Sequence, residues 1–441
     1  MILRASIVAF LMLLGGSVSA APVMPRPAPT APAGPMVFYI VKGADDACGR
    51  GCNRWIAVEG QVDSAAAGRF KRFLQQVGNR DMPVYLYSPG GNLDQALAMG
   101  VMLRERRATA RVGRTVVSDC GFEAQDGPTC LKLKQSGREL RGDLWTRGAT
   151  CNSACPYLML GATTREVAPD AVLAVHSAKV VVHFRNGVPT AEVRAAATER
   201  GRERADRMVA SYFVKMGVDI GLFDLARSIK FESMHVLTRE EIVRFGIDRR
   251  DLAETAWKFE NGTRSMVRKA ALVKEDGGKS WRLAQWRIIC AGSEQFELDF
   301  QRPAAASALP TVAISLAGTA QAFHAPPVKL QGFEIWATRL SRTAVRGLAD
   351  AAQFEFTESS LGADGKRLAR AARFSTEGLT TALASLADTC PTPKNVVLPR
   401  QSAHRRAQRN NRARPLHCFM PGLHALAWKI PPPAAVSLPP H

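Results

Sequence analysis

The sequence lacks any long apolar run beyond its amino terminus, so no later segment approaches the length of a transmembrane helix. The run at residues 7–14 follows the basic Arg4 and precedes small residues at 18–20, an order typical of secretory signals. It is too short to span a bilayer comfortably, which disfavours an uncleaved anchor. We therefore predict a signal peptide over residues 1–20 and a periplasmic or secreted protein.

Acidic residues are scarce, because 39 Asp and Glu stand against 59 Lys and Arg and leave a net charge of +20. Residues 391–441 contain eight Lys and Arg and no acidic residue at all. A basic segment with little apolar surface cannot offset the entropy of ordering, so a disordered tail is predicted there. Such a tail suits an anionic envelope polymer or lipid as partner, and a solvated extension without function is the alternative. Nucleic acid is not expected to meet an exported protein.

The eight histidines lack the clustered spacing of zinc sites, so neither a metal nor another cofactor is predicted. In an exported protein the nine cysteines are then expected to pair as disulfides. The local pairs proposed are Cys48 with Cys52, Cys120 with Cys130, and Cys290 with Cys390. Cys151 and Cys155 can bridge if Cys151 precedes the helix, and otherwise they need other partners, while Cys418 is left over.

A chain of 441 residues exceeds what one hydrophobic core usually serves, so two domains with extensions are expected. Strand and helix patterns alternate up to about residue 258 and favour a layered α/β core, whereas strands dominate afterwards. The predicted divisions are a Pro/Ala-rich linker over 21–35, an α/β domain over 36–258, and a smaller β-rich α+β domain of unknown role over 262–390.

The hydrophobic periodicity also predicts individual elements. In the first domain the predicted strands are 36–41, 54–62, 82–87 and 172–175, and the predicted helices are 65–77, 92–107, 190–215 and 238–245. Between them, residues 114–147 are predicted to form a polar insertion that holds Cys120 and Cys130. In the second domain the predicted strands are 281–289, 296–300, 311–316, 333–337 and 354–357, with a helix over 376–387.

Three short motifs indicate acyl-transfer chemistry. The glycine turn Ser88-Pro-Gly-Gly91 joins a strand to a helix, Ser153 stands at a helix start, and His176 ends a strand. A serine hydroxyl becomes a useful nucleophile when an imidazole removes its proton, and the resulting oxyanion needs fixed donors. Taken singly, each motif has a structural alternative: a helix cap for Ser153, a satisfied strand-end histidine for His176, and a tight turn for the glycines.

The order of these motifs resembles the Clp protease proteolytic subunit within the wider ClpP/crotonase superfamily. The match covers about residues 36–253, and it continues through Gly161 and Arg165 to a helix that ends at Gly246, followed by Ile247 and Asp248. The version with cysteines on both sides of the serine is most similar to exported, periplasmic ClpP-like proteins of bacteria. The resemblance implies a ClpP/crotonase-like layered β-β-α core.

Site residues follow from the same resemblance, residue by residue. It makes Ser153 the nucleophile, His176 its general base, and the backbone N–H groups of Gly91 and Ala154 the oxyanion donors. The position where Clp proteases place the orienting aspartate falls on Met234, with Glu232 nearby but out of register. A histidine without that carboxylate loses tautomer control and some basicity. The methionine in place of the aspartate therefore affects the predicted catalysis but not the predicted fold.

Three other basic side chains are given no catalytic role. His183 and His235 are interpreted as surface or loop residues. Lys179 would matter in a Ser–Lys peptidase, but its position fits that pattern poorly.

The sequence therefore predicts an exported serine hydrolase, an ATP-independent peptidase that cleaves peptides or flexible protein segments. The alternative is a catalytically inactive ClpP-like binding or assembly module of the cell envelope, and an acyl-CoA enzyme ranks third because CoA is a cytoplasmic cofactor. ClpP-like folds commonly assemble through the helix after the catalytic histidine, here 190–215. Its charged surface and the insertion at 114–147 favour a monomer or small oligomer.

Overall fold

The computed structural model describes residues 34–390 apart from 183, 185–188, 263, 276–279, 293–294, 305–310, 317–318, 324–325 and 362–365. The predicted signal over 1–20, nearly all of the linker and the basic tail lie outside the described residues, as do His183 and Cys418. Within the described ranges, no helix is both long and apolar enough to cross a membrane.

Strands and helices alternate through the first part of the chain. The strands are β1 (Val37–Lys42), β2 (Arg54–Glu59), β3 (Val84–Tyr87), β4 (Thr109–Val112), β5 (Arg114–Val117), β6 (Leu140–Trp145), β7 (Thr150–Asn152), β8 (Thr164–Glu166), β9 (Val172–Val175), β10 (His235–Val236) and β11 (Leu252–Glu254). The helices are α1 (Ala66–Val77), α2 (Leu93–Glu105), α3 (Pro128–Lys134), α4 (Cys155–Leu160), α5 (Ala191–Met216), α6 (Gly221–Ser228) and α7 (Arg239–Arg244), with a 3₁₀ turn at Ser118–Cys120.

Two sheets organise these elements. The larger has seven strands in the order β5-β6-β1-β2-β3-β4-β8, and its half from β2 to β8 is parallel. The smaller has the order β10-β9-β7, with β7 parallel and β10 antiparallel to β9. An isolated parallel bridge between Ser88 and Cys151 connects the end of β3 to β7. The two sheets therefore meet where β3 ends.

Local sequence explains the central elements. Residues 55–59 of β2 are buried, as expected for a mostly apolar strand flanked by β1 and β3. α1 turns Phe70 and Leu74 toward the core. α2 begins where the Asn92 side chain accepts a hydrogen bond of 3.0 Å from the Gln95 N–H, which satisfies one of the free donors at the helix start.

Residues 114–147 differ from the predicted polar insertion, because β5 and β6 extend the large sheet beyond β1. Most residues between these two strands are exposed, but Thr115 of β5 and Lys134 are buried. The buried Glu59 carboxylate accepts hydrogen bonds from the Tyr39 hydroxyl at 2.6 Å, the Thr115 N–H at 2.8 Å and the Lys134 ammonium at 3.0 Å. Buried charges of this kind need partners, and this segment supplies them. Polarity alone therefore indicated a surface loop where the chain forms strands.

Antiparallel strands dominate the second part. They are β12 (Lys258–Glu260), β13 (Met266–Glu275), β14 (Ser280–Cys290), β15 (Gln295–Pro303), β16 (Thr311–Leu316), β17 (Thr319–Ala322), β18 (Val328–Leu330), β19 (Phe333–Ser341), β20 (Gln353–Leu361) and β21 (Arg367–Ser375), with helices α8 (Arg342–Asp350) and α9 (Leu379–Thr389). One sheet has the order β11-β13-β14-β15-β19-β18, with β12 also paired to β13, and the other has the order β17-β16-β20-β21.

Buried residues of this second part form their own hydrophobic cluster, separate from the two clusters of the first part. Aromatic rings fill it: the Trp286 ring lies 4.5 Å from Phe374 and 5.6 Å from Phe300, measured between centroids. The described residues thus have a mixed α/β fold with several sheets and nine helices.

Four disulfides join the cysteines of the described chain. They are Cys48–Cys52, Cys120–Cys130, Cys151–Cys155 and Cys290–Cys390. The three proposed local pairs are confirmed. Cys151 lies in β7 and Cys155 is the first residue of α4, so Cys151 precedes the helix, as a bridge between these two cysteines requires.

Candidate active site

Three parallel chain segments end at one place. The segment after β3 runs beside β7, because the Ser88 N–H donates to the Thr150 carbonyl at 2.9 Å and the Asn152 N–H donates to the Ser88 carbonyl at 3.0 Å. β7 in turn runs parallel to β9, with Asn152 opposite Ala174. The carboxyl ends of parallel neighbours meet at one edge of a sheet. This arrangement brings together the glycine turn after β3, Ser153 after β7 and His176 after β9.

Ser153 adopts an unusual backbone conformation. Its φ of +58° lies in the left-handed region, which costs a non-glycine residue about 1–3 kcal/mol. The residue forms the turn between β7 and α4, and its N–H donates to the Ala174 carbonyl at 2.9 Å. A serine held in a strained strand-to-helix turn is a geometry that presents the hydroxyl for reaction.

The side chains of Ser153 and His176 are in direct contact. Nε2 of His176 lies 2.7 Å from Oγ of Ser153, within hydrogen-bond reach. His176 is 9% exposed and Ser153 is half-buried, so the pair is shielded but reachable from solvent. Which atom donates depends on the imidazole tautomer; with Nε2 unprotonated, the serine hydroxyl donates and the histidine is placed to accept its proton.

Gly90 packs directly against Ser153. A Cβ atom added to Gly90 would lie 2.5 Å from Cβ of Ser153, 2.6 Å from the Asn152 carbonyl oxygen and 2.8 Å from the Ala154 nitrogen. Its φ of +98° also favours glycine. The first glycine of the turn is therefore the one that lets the backbone approach the serine, a role that the sequence did not reveal.

The two predicted oxyanion donors are the backbone N–H groups of the residues that follow Gly90 and Ser153 in the chain. Gly91 follows Gly90 and is exposed, while Ala154 follows Ser153 and precedes α4. Neither N–H donates a hydrogen bond to any residue that the structure describes. Both are therefore available to a bound carbonyl oxygen.

Among the residues that the structure describes, no carboxylate contacts the far side of the His176 ring. Nδ1 is buried and has no hydrogen-bond partner among the described residues. In the pairing of β9 with β10, His235 lies opposite Val175, so one further step of this register places Met234 opposite His176. Met234 carries no ionisable group and is 39% exposed. Glu232 is also exposed, and its charge reaches the ring only through space.

Burial lowers the pKa of His176 below its ordinary value of 6.5, because the charged imidazolium loses solvation. The backbone of Phe231 and the charge of Glu232 act in the opposite direction. The Phe231 backbone lies close enough to raise the pKa, although its geometry falls short of a hydrogen bond to Nδ1. The ring is therefore neutral at pH 7, the form in which it accepts a proton.

Several side chains near Ser153 and His176 are apolar or contact other groups. The Phe231 ring packs beside His176, with centroids 4.9 Å apart and the ring planes tilted by 45°, and is 44% exposed. The Lys179 ammonium lies 6.0 Å from the centre of the Phe231 ring. His235 contacts the Glu241 carboxylate at 2.9 Å, and that carboxylate also completes the cap of α7. Within the described residues there is no group of three side chains suited to a metal ion.

Comparison with known proteins finds similarity to several solved structures. No protein-family model matches the chain, and no curated protein matches it. Among solved structures, a mutant of the 1510-N membrane-bound stomatin-specific protease is 14% identical over 48% of this chain and 78% of its own, with a TM-score of 0.27. A ClpP1 mutant from Listeria monocytogenes is 16% identical over 44% and 87%, and invasion associated protein b from Bartonella henselae is 9% identical over 30% and 92%; both have a TM-score of 0.25. Similarities this distant do not establish a common fold.

Proposed function

We propose that the protein is an exported serine hydrolase with a ClpP-like core, which cleaves peptides or flexible protein segments without ATP. The 2.7 Å contact between Ser153 Oγ and His176 Nε2 carries this proposal. Four disulfides are compatible with an oxidising compartment, which is consistent with export. ATP is scarce outside the cytoplasm, so the substrate must already be accessible as an unfolded or flexible segment.

The chemistry follows from the geometry of the pair. Ser153 Oγ attacks the scissile carbonyl carbon while Nε2 of His176 takes the hydroxyl proton. The N–H groups of Gly91 and Ala154 stabilise the oxyanion of the tetrahedral intermediate. His176 then returns the proton to the departing amine, leaving an acyl group on Ser153. A water molecule activated by the same imidazole hydrolyses that ester and restores the serine.

The proposal is tested by covalent labelling of the full chain with a fluorophosphonate, which reacts with activated serines. We expect one label per molecule, located on Ser153 by peptide mass mapping, and no label on Ser153→Ala. Ser228→Ala is the matched control, because Ser228 lies at the end of α6 and its hydroxyl donates to the Leu225 carbonyl. Folded parent protein that takes up no label, or takes it up elsewhere, contradicts the proposal.

The labelling rate should also depend on pH in a way that identifies the base. A neutral imidazole is required, and the pKa of His176 is lowered, so the rate should rise through a midpoint below 6.5 and then stay level. Glu232→Gln should move the midpoint lower still, because the Glu232 charge raises this pKa. A rate that keeps rising above about pH 8 would instead show that a group other than His176 removes the hydroxyl proton.

A catalytically inactive binding or assembly module is the second candidate. Two features favour it: Nδ1 of His176 has no hydrogen-bond partner in the described ranges, and position 234 is a methionine, whereas serine hydrolases normally orient the imidazole with a carboxylate. Absence of labelling in the folded parent would select this alternative.

A further inference from the structure

The disulfide between Cys151 and Cys155 encloses Ser153. Cys151 lies in the middle of β7, Cys155 is the first residue of α4, and Ser153 stands midway between them in the left-handed region. Both cysteines are completely buried. The bridge therefore closes the same turn that presents the serine hydroxyl to His176.

The two sides of this turn are held unequally. On the strand side, the Asn152 N–H donates to Ser88 and the Ser153 N–H donates to Ala174, at 3.0 and 2.9 Å. On the helix side, the first backbone bond of α4 runs from the Leu158 N–H to the Ala154 carbonyl and is long, at 3.4 Å. The Ala154 N–H itself donates to no described residue. Apart from the peptide chain itself, the disulfide is thus the strongest link between the turn and the start of α4.

We propose that the Cys151–Cys155 disulfide is a positioning element for the nucleophile, which holds Ser153 in its left-handed conformation with Oγ directed at His176. The inference rests on the proposed hydrolase function and extends it. Without the bridge, Ser153 can relax toward the ordinary backbone conformations that L residues prefer. The Ser153 hydroxyl then no longer points at Nε2 of His176, and the Ala154 N–H is displaced together with it.

The chain contains a matched control in Cys48–Cys52. Both disulfides have a sequence separation of four residues and a Cα–Cα distance of 5.1 Å. Equal loops restrict the unfolded chain equally, so losing either bridge should cost similar stability through the unfolded state. Only the bridge around Ser153 should alter the reactivity of that serine.

The test compares Cys151→Ala/Cys155→Ala with Cys48→Ala/Cys52→Ala, in the full chain, by fluorophosphonate labelling. For the first pair we expect the rate constant to fall by about tenfold or more, equivalent to about 1.4 kcal/mol, while every molecule still labels eventually. The control pair should label at the parent rate. A permanently unfolded fraction would behave differently, with fewer molecules labelled at an unchanged rate constant.

Cys151→Val/Cys155→Ala keeps the buried volume nearly constant and is a second form of the test. If either folded pair at positions 151 and 155 labels as fast as the parent, the bridge does not position Ser153 and the inference is overturned. It is also overturned if neither pair folds while the control pair does, since the bridge then serves folding. If the parent itself takes no label, the proposed function has failed, an outcome that is distinct from both.

Discussion

Replacing His176 with alanine is expected to slow labelling of Ser153 by about 10²- to 10⁴-fold, the range that general-base catalysis supplies. In the described residues, Nε2 of His176 is the base that contacts Oγ, at 2.7 Å, and alanine leaves the hydroxyl with its proton. The effect should fall short of that in complete triads, because no described carboxylate orients Nδ1 in the parent. Second-order rate constants for the fluorophosphonate would measure it.

Two controls separate loss of the base from loss of structure. His235→Ala removes the histidine of the neighbouring strand β10, whose ring contacts the Glu241 carboxylate, and it should label at nearly the parent rate. Added imidazole should restore part of the rate to His176→Ala, because it can enter the space that the side chain leaves. If His176→Ala labels within about threefold of the parent, far below the expected range, His176 is not the base.

The order of elements in the first part could be predicted from local patterns. Strands were expected at 36–41, 82–87 and 172–175, and the structure has β1, β3 and β9 there within two residues at each end. These are short apolar runs bounded by polar or glycine residues, so hydrophobic burial decides their conformation locally. The helix predicted over 190–215 corresponds to α5 at Ala191–Met216, which begins at the cap residue Thr190.

Other parts of the fold depend on partners that are distant in sequence. β5 and β6 were missed because polar and apolar residues are mixed in them, and a group that satisfies β5, the Glu59 carboxylate that accepts from the Thr115 N–H, lies on β2. Four of the five strands predicted in the second part extend beyond their predicted ends, since antiparallel pairing continues past the apolar residues that marked each strand, whereas β16 has its predicted bounds. Only the register of neighbouring strands reveals where they stop.

The candidate site likewise has some features that the sequence predicts and others that depend on contacts between distant residues. The sequence could indicate Ser153 and His176 as a pair because motif order reflects the order of parallel strands. It could not show that Ser153 has a φ of +58° or that Nδ1 of His176 lacks a partner, because both depend on packing in three dimensions. The importance of Gly90 was likewise hidden, although two successive glycines at a strand end are a signal that backbone approaches closely there.

Replacing Gly90 with alanine is expected to remove reactivity and much of the stability together. The new methyl group would lie 2.5 Å from Cβ of Ser153 and 2.8 Å from the Ala154 nitrogen, closer than atoms can pack. Neither neighbour can yield without moving the proposed nucleophile or a proposed oxyanion donor. We expect labelling to fall by about 10²- to 10³-fold. The free energy of unfolding should fall by about 2–4 kcal/mol, from overpacking and from the φ of +98° combined.

Gly137→Ala separates the two causes of that loss. Gly137 also has a positive φ, of +75°, but an added Cβ would meet no atom within 4 Å. It should therefore lose about 1 kcal/mol from the backbone term alone and keep the parent labelling rate. Chemical denaturation and labelling of both variants, beside the parent, would measure the two effects. If folded Gly90→Ala labels like Gly137→Ala, close packing of the glycine turn against Ser153 does not shape the site. Loss of labelling in Gly90→Ala alone would show that this packing sets the position of the nucleophile.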